Sequence, residues 1–188
     1  MKISLVVQAP GIFPSAPLAV LSGTFAHGLQ KAASLGVDGL ELAVVDPESL
    51  DALAIKEQMA SCRLAVSAVS SAGLRMATGS SLLHRDAEIS RNAIGRLNEL
   101  IRFAAQVQAP LVTIGSFKGM RGWVEGNGWE SLRDILKDAA STAMRLGVRL
   151  VIEPLNRTNR LQPGIHRSLL GYRGGNRDSE GANRLIQA

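Results

Sequence analysis

The residues best suited to chemistry lie at the end of one apolar run. Glu153 closes "VRLVIE", and Asn156 and Arg157 follow it in "VIEPLNR". An ionised carboxylate at the end of a buried strand needs a partner, a metal or a proton. Three polar side chains at one strand end are what a metal site or a sugar site requires. We therefore expect Glu153 to be functional, with Asn156 and Arg157 beside it.

Other candidate side chains are weaker and keep two interpretations. Glu41 in "LELAVVDP" is a second carboxylate in an apolar run, and we place it at a C-terminal strand end as a functional or a structural group. His84 in "SLLHRDAE" precedes a long helix and either caps that helix or lines a cavity mouth. His27 lies in a predicted helix, which favours a structural role. Because no HxxE, HExxH or CxxC spacing occurs, residue chemistry alone defines no metal centre.

Apolar runs that alternate with helical periodicity must position these side chains. The predicted strands are 2–7, 38–45, 64–69, 110–115 and 149–153. The predicted helices are 23–35, 48–61, 86–107 and 129–146. Such alternation predicts βαβ units and parallel strands, either in an open doubly wound sheet or in a (β/α)8 barrel. No GxGxxG or GxxxxGK[ST] pattern follows the first strand, which disfavours dinucleotide and P-loop sites.

Composition indicates one soluble globular domain. The chain has 188 residues, of which 46% are hydrophobic and 20% charged. No run approaches the roughly 18 apolar residues that a membrane helix needs, and the first residues do not resemble a signal peptide. A single cysteine, Cys62, favours a reducing cytoplasm. The net charge of +5 lies mainly in residues 157–188, which carry +4, so we expect no nucleic-acid partner.

At Glu153 the chain also resembles a known family. The stretches "KISLVV", "AASLGVDGLELAVVDP", "LLHRDAEISRNAIGRLNELIRFAAQVQAPLVTIGSFKG" and "VIEPLNR" are similar to the sugar-phosphate isomerase/epimerase family with the xylose-isomerase-like TIM barrel. Within that family they most resemble the 5-keto-L-gluconate epimerase and hydroxypyruvate isomerase-like members. The resemblance covers residues 1–157. It implies a partial (β/α)8 TIM barrel of about five parallel strands with outer helices.

The resemblance also implies a function. It implies a sugar substrate, proton transfer between adjacent carbons through an enediolate, and a divalent metal: Mn²⁺ first, Mg²⁺ or Co²⁺ as alternatives. Four side chains on strands five to eight would hold that metal, and only the strand-five ligand, Glu153, carries over. Glu41, His84, Asn156 and Arg157 match positions near the substrate. It implies a cytoplasmic enzyme of carbohydrate metabolism, without a membrane partner and able to form homo-oligomers.

The chain changes character after Arg157. We expect 1–157 to be the N-terminal part of the barrel and 158–188 to be an atypical, poorly ordered basic tail that adds no sixth strand. A shifted reading frame near this point would explain the change. Because the other family ligands have no counterpart, we expect this truncated form to lack isomerase activity. Two alternatives remain open: a non-catalytic barrel fragment, and a relative of abasic-site endonucleases.

Overall fold

The computed structural model of the protein describes residues 2–11, 21 and 23–154. In this part of the chain, five strands alternate with helices. The strands are β1 (Ser4–Gln8), β2 (Gly39–Ala43), β3 (Ala65–Ser70), β4 (Leu111–Ile114) and β5 (Arg149–Ile152). The helices are α1 (Phe25–Ser34), α2 (Ala52–Ser61), α3 (Ala72–Thr78), α4 (Ala87–Gln106) and α5 (Gly128–Arg145).

The strand order identifies the architecture. The strands form one sheet in the order β1-β2-β3-β4-β5, and every neighbouring pair is parallel. Crossovers between parallel strands are nearly always right-handed, so a chain that always steps in the same direction places its helices on the same face. A doubly wound sheet must reverse that direction. The fold is therefore α/β and consistent with part of a (β/α)8 barrel, as predicted.

The core lies between the helices and one face of the sheet. Leu40 and Leu42 of β2 are fully buried on that face. α1 approaches β1 so closely that a Cβ atom at Gly28 would lie 2.8 Å from Val7 Cγ2. The long helix presents the apolar face that its spacing predicts, and the fully buried side chains of that face are Leu97, Leu100, Ile101 and Ala104.

Side-chain caps fix where the helices begin. Thr24 Oγ1 accepts from the His27 backbone N–H at 3.2 Å, so α1 begins at Phe25, two residues later than predicted. Asp51 caps α2 in the same way, through the Ala54 N–H at 3.0 Å. The predicted helix 48–61 is therefore wrong at its start, because Pro47–Ser49 forms a separate 3-10 turn before the Asp51 cap.

One further element differs from the sequence predictions, because a short helix, α3, follows β3 where no helix was predicted. Cys62 is a free thiol and is partly buried. Among the described residues, no helix is long and apolar enough to cross a membrane. The predictions for the tail fall on residues 158–188, which lie outside the described residues.

Candidate active site

All five parallel strands end at the same side of the sheet, and Glu153 stands there. It directly follows the last residue of β5, and its backbone N–H donates to the Ile114 carbonyl at 3.0 Å. That bond continues the β4–β5 ladder and holds the backbone of Glu153 in place. The side chain is half-buried. The predicted position of Glu153 at a strand end is therefore confirmed, and sites of barrel enzymes form at this end.

Lys118 lies beside Glu153. It closes the 3-10 turn Ser116–Lys118 that follows β4, and the fully buried Phe117 anchors that turn. Lys118 Nζ donates to the Gly115 carbonyl at 3.0 Å and to the Glu153 carbonyl at 3.3 Å. Burial lowers the pKa of Lys118, and the Glu153 carboxylate opposes part of that shift. The ammonium group is thus held at the strand end next to the candidate carboxylate.

Burial raises the pKa of the Glu153 carboxyl above its usual range. The negative charge of Glu41 raises it further, and the positive charge of Lys118 lowers it in part. A carboxyl group that keeps its proton to higher pH is a stronger base when ionised and a usable acid when protonated. Its surroundings therefore suit Glu153 to proton transfer.

Glu41 lies in the middle of β2, so its predicted place at a C-terminal strand end is wrong. β2 continues for two residues beyond it, because Leu42 and Ala43 still pair with β3. The Glu41 side chain extends across β3 and accepts from Thr113 Oγ1 on β4 at 2.7 Å. The β3 partners of Glu41 and Thr113 are Ala68 and Ser70, whose small side chains leave room for this contact.

The face that carries Glu41 is polar. The hydroxyl groups of Ser4 on β1 and Ser67 on β3 form a hydrogen bond, with 2.6 Å between the two oxygens. The register shift between Leu40 and Glu41 gives β3 one extra residue there. Glu41, Thr113 and Glu153 thus belong to a polar sheet face opposite the apolar one. Glu41 acts on Glu153 through its charge, as the pKa shift records.

His84 lies in the loop before α4, and neither its hydrogen bond nor its ring contact involves Glu153. Its Nδ1 accepts from the Asp86 backbone N–H at 3.0 Å, and its ring meets Trp123 edge to face with centroids 5.4 Å apart. The loop before α4 pairs with the loop after β4, since Leu83 N–H donates to the Lys118 carbonyl at 3.1 Å. Asn156 and Arg157 lie outside the described residues.

Sequence reasoning missed Lys118 and Thr113. The only sequence signal for Lys118 is a cation between two glycines, in "GSFKG", just after an apolar run. Thr113 gives none, because a threonine is ordinary in a strand. Both matter through contacts with residues distant in the chain.

A divalent metal does not fit the described residues by themselves. Such ions require several oxygen or imidazole ligands. In residues 2–11, 21 and 23–154, no group of three His, Cys, Asp or Glu side chains could hold one. The cation next to Glu153 is instead the ammonium group of Lys118. Glu153 as a metal ligand stays an expectation from the resemblance.

Together these features define a class of protein. A parallel sheet wound in one direction, with polar side chains at the C-terminal strand ends, is typical of (β/α)8 barrels. The chain belongs to the xylose isomerase-like TIM barrel family, whose profile matches residues 29–168. A comparison with curated proteins found no match.

Solved structures with this fold include enzymes of different names. A xylose isomerase domain protein from Planctomyces limnophilus superposes with a TM-score of 0.60 and 17% identity, covering 81% of this chain and 54% of that one. D-allulose 3-epimerase from Methylomonas sp. gives 0.56 and 17%, covering 78% and 51%. An AP endonuclease of family 2 from Brucella melitensis gives 0.58 and 17%, covering 85% and 57%. The chain thus spans about half the length of these proteins, and the likeness concerns the fold.

Proposed function

We propose that this chain supplies the strand-five side of a sugar or sugar-phosphate isomerase or epimerase site, in which Glu153 is the acid/base group. The observation that carries the proposal is the position of Glu153. It is fixed by the Ile114 carbonyl at the strand end, half-buried, and flanked by the Lys118 ammonium group. Neighbours named as a D-allulose 3-epimerase and an L-ribulose 3-epimerase support a sugar substrate.

The proposed chemistry begins with a C–H bond next to a sugar carbonyl. The bond breaks, the proton passes to the Glu153 carboxylate, and the electron pair moves toward the carbonyl oxygen to give an enediolate. A half-buried ammonium group near the developing negative charge would stabilise it, and the hydrogen bonds of Lys118 Nζ to the Gly115 and Glu153 carbonyls support this role for Lys118. Protonated Glu153 then returns the proton to the same carbon. Its return to the neighbouring carbon, which would complete isomerisation, also needs a proton moved between the two oxygens. Epimerisation requires a second group on the opposite face of the carbon.

No step is assigned to the metal expected from the resemblance, Mn²⁺, Mg²⁺ or Co²⁺, because the described residues hold no group of three metal ligands. The role of Glu41 in this proposal is electrostatic. Its charge raises the pKa of Glu153, so it strengthens the base without contacting the carbon.

The test is proton exchange with solvent rather than turnover. The purified chain is incubated in D₂O with D-fructose, D-fructose 6-phosphate and D-ribulose 5-phosphate, and deuterium at the carbon next to the carbonyl is followed by NMR. We expect exchange faster than in buffer, lost in Glu153→Gln and slowed in Lys118→Met. The matched control is Glu57→Gln, because Glu57 is an exposed carboxylate on α2.

Two results would oppose the proposal. Exchange that survives Glu153→Gln would place the base elsewhere. Exchange at the buffer rate with every ketose would favour the non-catalytic barrel fragment. The endonuclease alternative has a neighbour of that name, but the resemblance attaches to it a His-rich site with several metals. The sugar reaction is preferred because the neighbours named as 3-epimerases support a sugar substrate.

A further inference from the structure

Three side chains that the proposed proton transfer does not use surround one tryptophan at the mouth. The Arg75 guanidinium carbon lies 5.6 Å from the Trp123 ring centroid, and that of Arg85 lies 5.8 Å from it. His84 meets the same ring edge to face. Two cations within about 6 Å of one indole are each attracted to the ring by its quadrupole. The ring therefore holds two guanidinium groups in one place.

No carboxylate of the described residues lies within ion-pair distance of these two cations. The acidic residue next to Arg85 is Asp86, and its carboxylate caps α4 by accepting from the Glu88 N–H at 2.8 Å. Arg75 donates to the Gly79 carbonyl, which fixes its position but adds no negative charge. Two like charges kept together without a counter-charge form a favourable place for an anion.

The location connects this cluster with Glu153. Arg75 lies on α3 after β3, and Trp123 lies in the 3-10 turn Arg121–Trp123 after β4. The two loops are joined where Leu83 pairs with Gly119. A Cβ atom at Gly119 would overlap the Leu83 carbonyl oxygen, so only glycine permits this approach. His84 and Lys118 thus occupy neighbouring places on paired segments, on the same side of the sheet as Glu153.

We infer that Arg75 and Arg85, held on Trp123, bind the anionic end of the sugar whose carbonyl end lies at Glu153. The group recognised is a phosphate or a carboxylate, since guanidinium forks bind either through charge-assisted hydrogen bonds. The inference rests on the proposed function for the sugar part of the ligand. It narrows the substrate class from sugars in general to phosphorylated sugars or sugar acids.

Tryptophan fluorescence reports the binding directly. The chain has two tryptophans, so Trp129→Phe leaves Trp123 as the reporter. This variant is titrated with D-fructose 6-phosphate, D-fructose, D-gluconate and inorganic phosphate. We expect D-fructose 6-phosphate or D-gluconate to bind at least ~10-fold tighter than D-fructose, and Arg75→Gln or Arg85→Gln to remove most of that advantage. The phosphate and carboxylate arms identify which anion is preferred.

Two matched variants separate the site from general charge effects. Arg91→Gln removes an exposed guanidinium further along α4 and should leave the preference unchanged. Arg85→Lys keeps the charge but loses the planar fork and should restore the preference only in part. Equal affinity for D-fructose 6-phosphate, D-gluconate and D-fructose would overturn the inference, and so would an anion preference that survives loss of both arginines.

The result of the anion-binding titration can be distinguished from the result of the proton-exchange test. Glu153→Gln in the Trp129→Phe background should lose deuterium exchange and keep the anion preference. If exchange is absent in every variant while Arg75-dependent preference remains, the proposed function fails and the anion site stands. If a short duplex with an abasic site binds more tightly than every sugar, and does so through Arg75, the sugar assignment is overturned.

Discussion

Three influences set the pKa of Glu153: two raise it and one lowers it. The two that come from charged neighbours can be removed separately by substitution. Burial and the Glu41 charge raise its pKa, whereas Lys118 lowers it. We therefore expect the pKa of Glu153 to fall in Glu41→Gln and to rise in Lys118→Met, relative to the unchanged protein. The measurement is a carboxyl-carbon NMR titration with labelled glutamate. Equal pKa values of Glu153 in the three proteins, or shifts in the opposite directions, would contradict this account.

The raised pKa of Glu153 also makes stability depend on pH. The folded state holds the proton to higher pH than the unfolded state does, so the unfolded chain releases it first as pH rises. Ionisation of Glu153 therefore costs stability, beginning above the unfolded pKa and complete above the folded one. We expect Glu153→Gln to gain stability relative to the unchanged protein at pH 8 and not at pH 3. Urea unfolding at pH 8 and at pH 3 measures the change in unfolding free energy. An equal change at both pH values would exclude a raised pKa of Glu153 as its cause.

The Thr113–Glu41 hydrogen bond is the second contact to test at this scale. Thr113 is 8% exposed and donates to Glu41 at 2.7 Å. Thr113→Val keeps the shape but leaves the carboxylate without this donor, and we expect a loss of about 1–3 kcal/mol in unfolding free energy. Thr113→Ser retains the hydroxyl group and should lose less. Urea unfolding at pH 7 compares the two, and a larger loss in Thr113→Ser would show that the methyl group matters more.

The residue scale is also where the sequence was least informative. Glu153 could be predicted because a carboxylate that ends an apolar strand is rare and costly. Lys118 could not be predicted, because it becomes a candidate only through its contact with Glu153, which is 35 residues away in the chain. Glu41 was assigned to a C-terminal strand end although the predicted strand 38–45 already continued past it, and β2 confirms that continuation.

At the scale of elements, we expect the same substitution at two helical glycines to change the unfolding free energy in opposite directions. A Cβ atom at Gly73 in α3 would overlap the backbone carbonyl of Val44, whereas one at Gly95 in α4 would meet no atom within 4 Å. We expect Gly73→Ala to cost about 1–3 kcal/mol through forced backbone shifts. Gly95→Ala should gain about 0.5–1 kcal/mol from lower backbone entropy in the unfolded chain. Urea unfolding of both variants measures the two changes in unfolding free energy. A change of the same sign in both variants would refute close packing at Gly73.

The elements themselves were largely predictable, for two reasons. Apolar runs covered on both faces marked the central strands, and periodic apolar residues such as Leu97 and Ile101 marked α4. The extra residue in β3 and the helix α3 were not predictable. A bulge depends on pairing with Glu41 across strands, and seven residues give too little periodicity to detect a helix.

For the whole molecule, the direction of winding is the informative property. Strand order without a reversal separates a barrel from a doubly wound sheet, and sequence periodicity alone could not do so. In the described part of the chain, β5 pairs only with β4, and β1 pairs with β2 and forms one further bridge, from Val7 to Leu21. Unpaired edges favour association with another strand, so a homo-oligomer stays a prediction. Sedimentation over a range of concentrations would measure it, and a monomer throughout would refute it.

The last prediction separates proton exchange from turnover. The described residues, 2–11, 21 and 23–154, provide Glu153 as a carboxylate at a strand end and no group of three metal ligands. One carboxylate serves one face of a carbon, so it can exchange a proton but cannot invert the centre. A single general base is worth about 10²–10⁴-fold, and the second base and the metal contribute separately. We therefore expect this chain, supplied with Mn²⁺, Mg²⁺ or Co²⁺, to show no measurable ketose epimerisation or aldose–ketose conversion, while Glu153-dependent deuterium exchange persists. Metal-dependent turnover that disappears in Glu153→Gln would contradict this, and would mean that residues outside the described part complete the site.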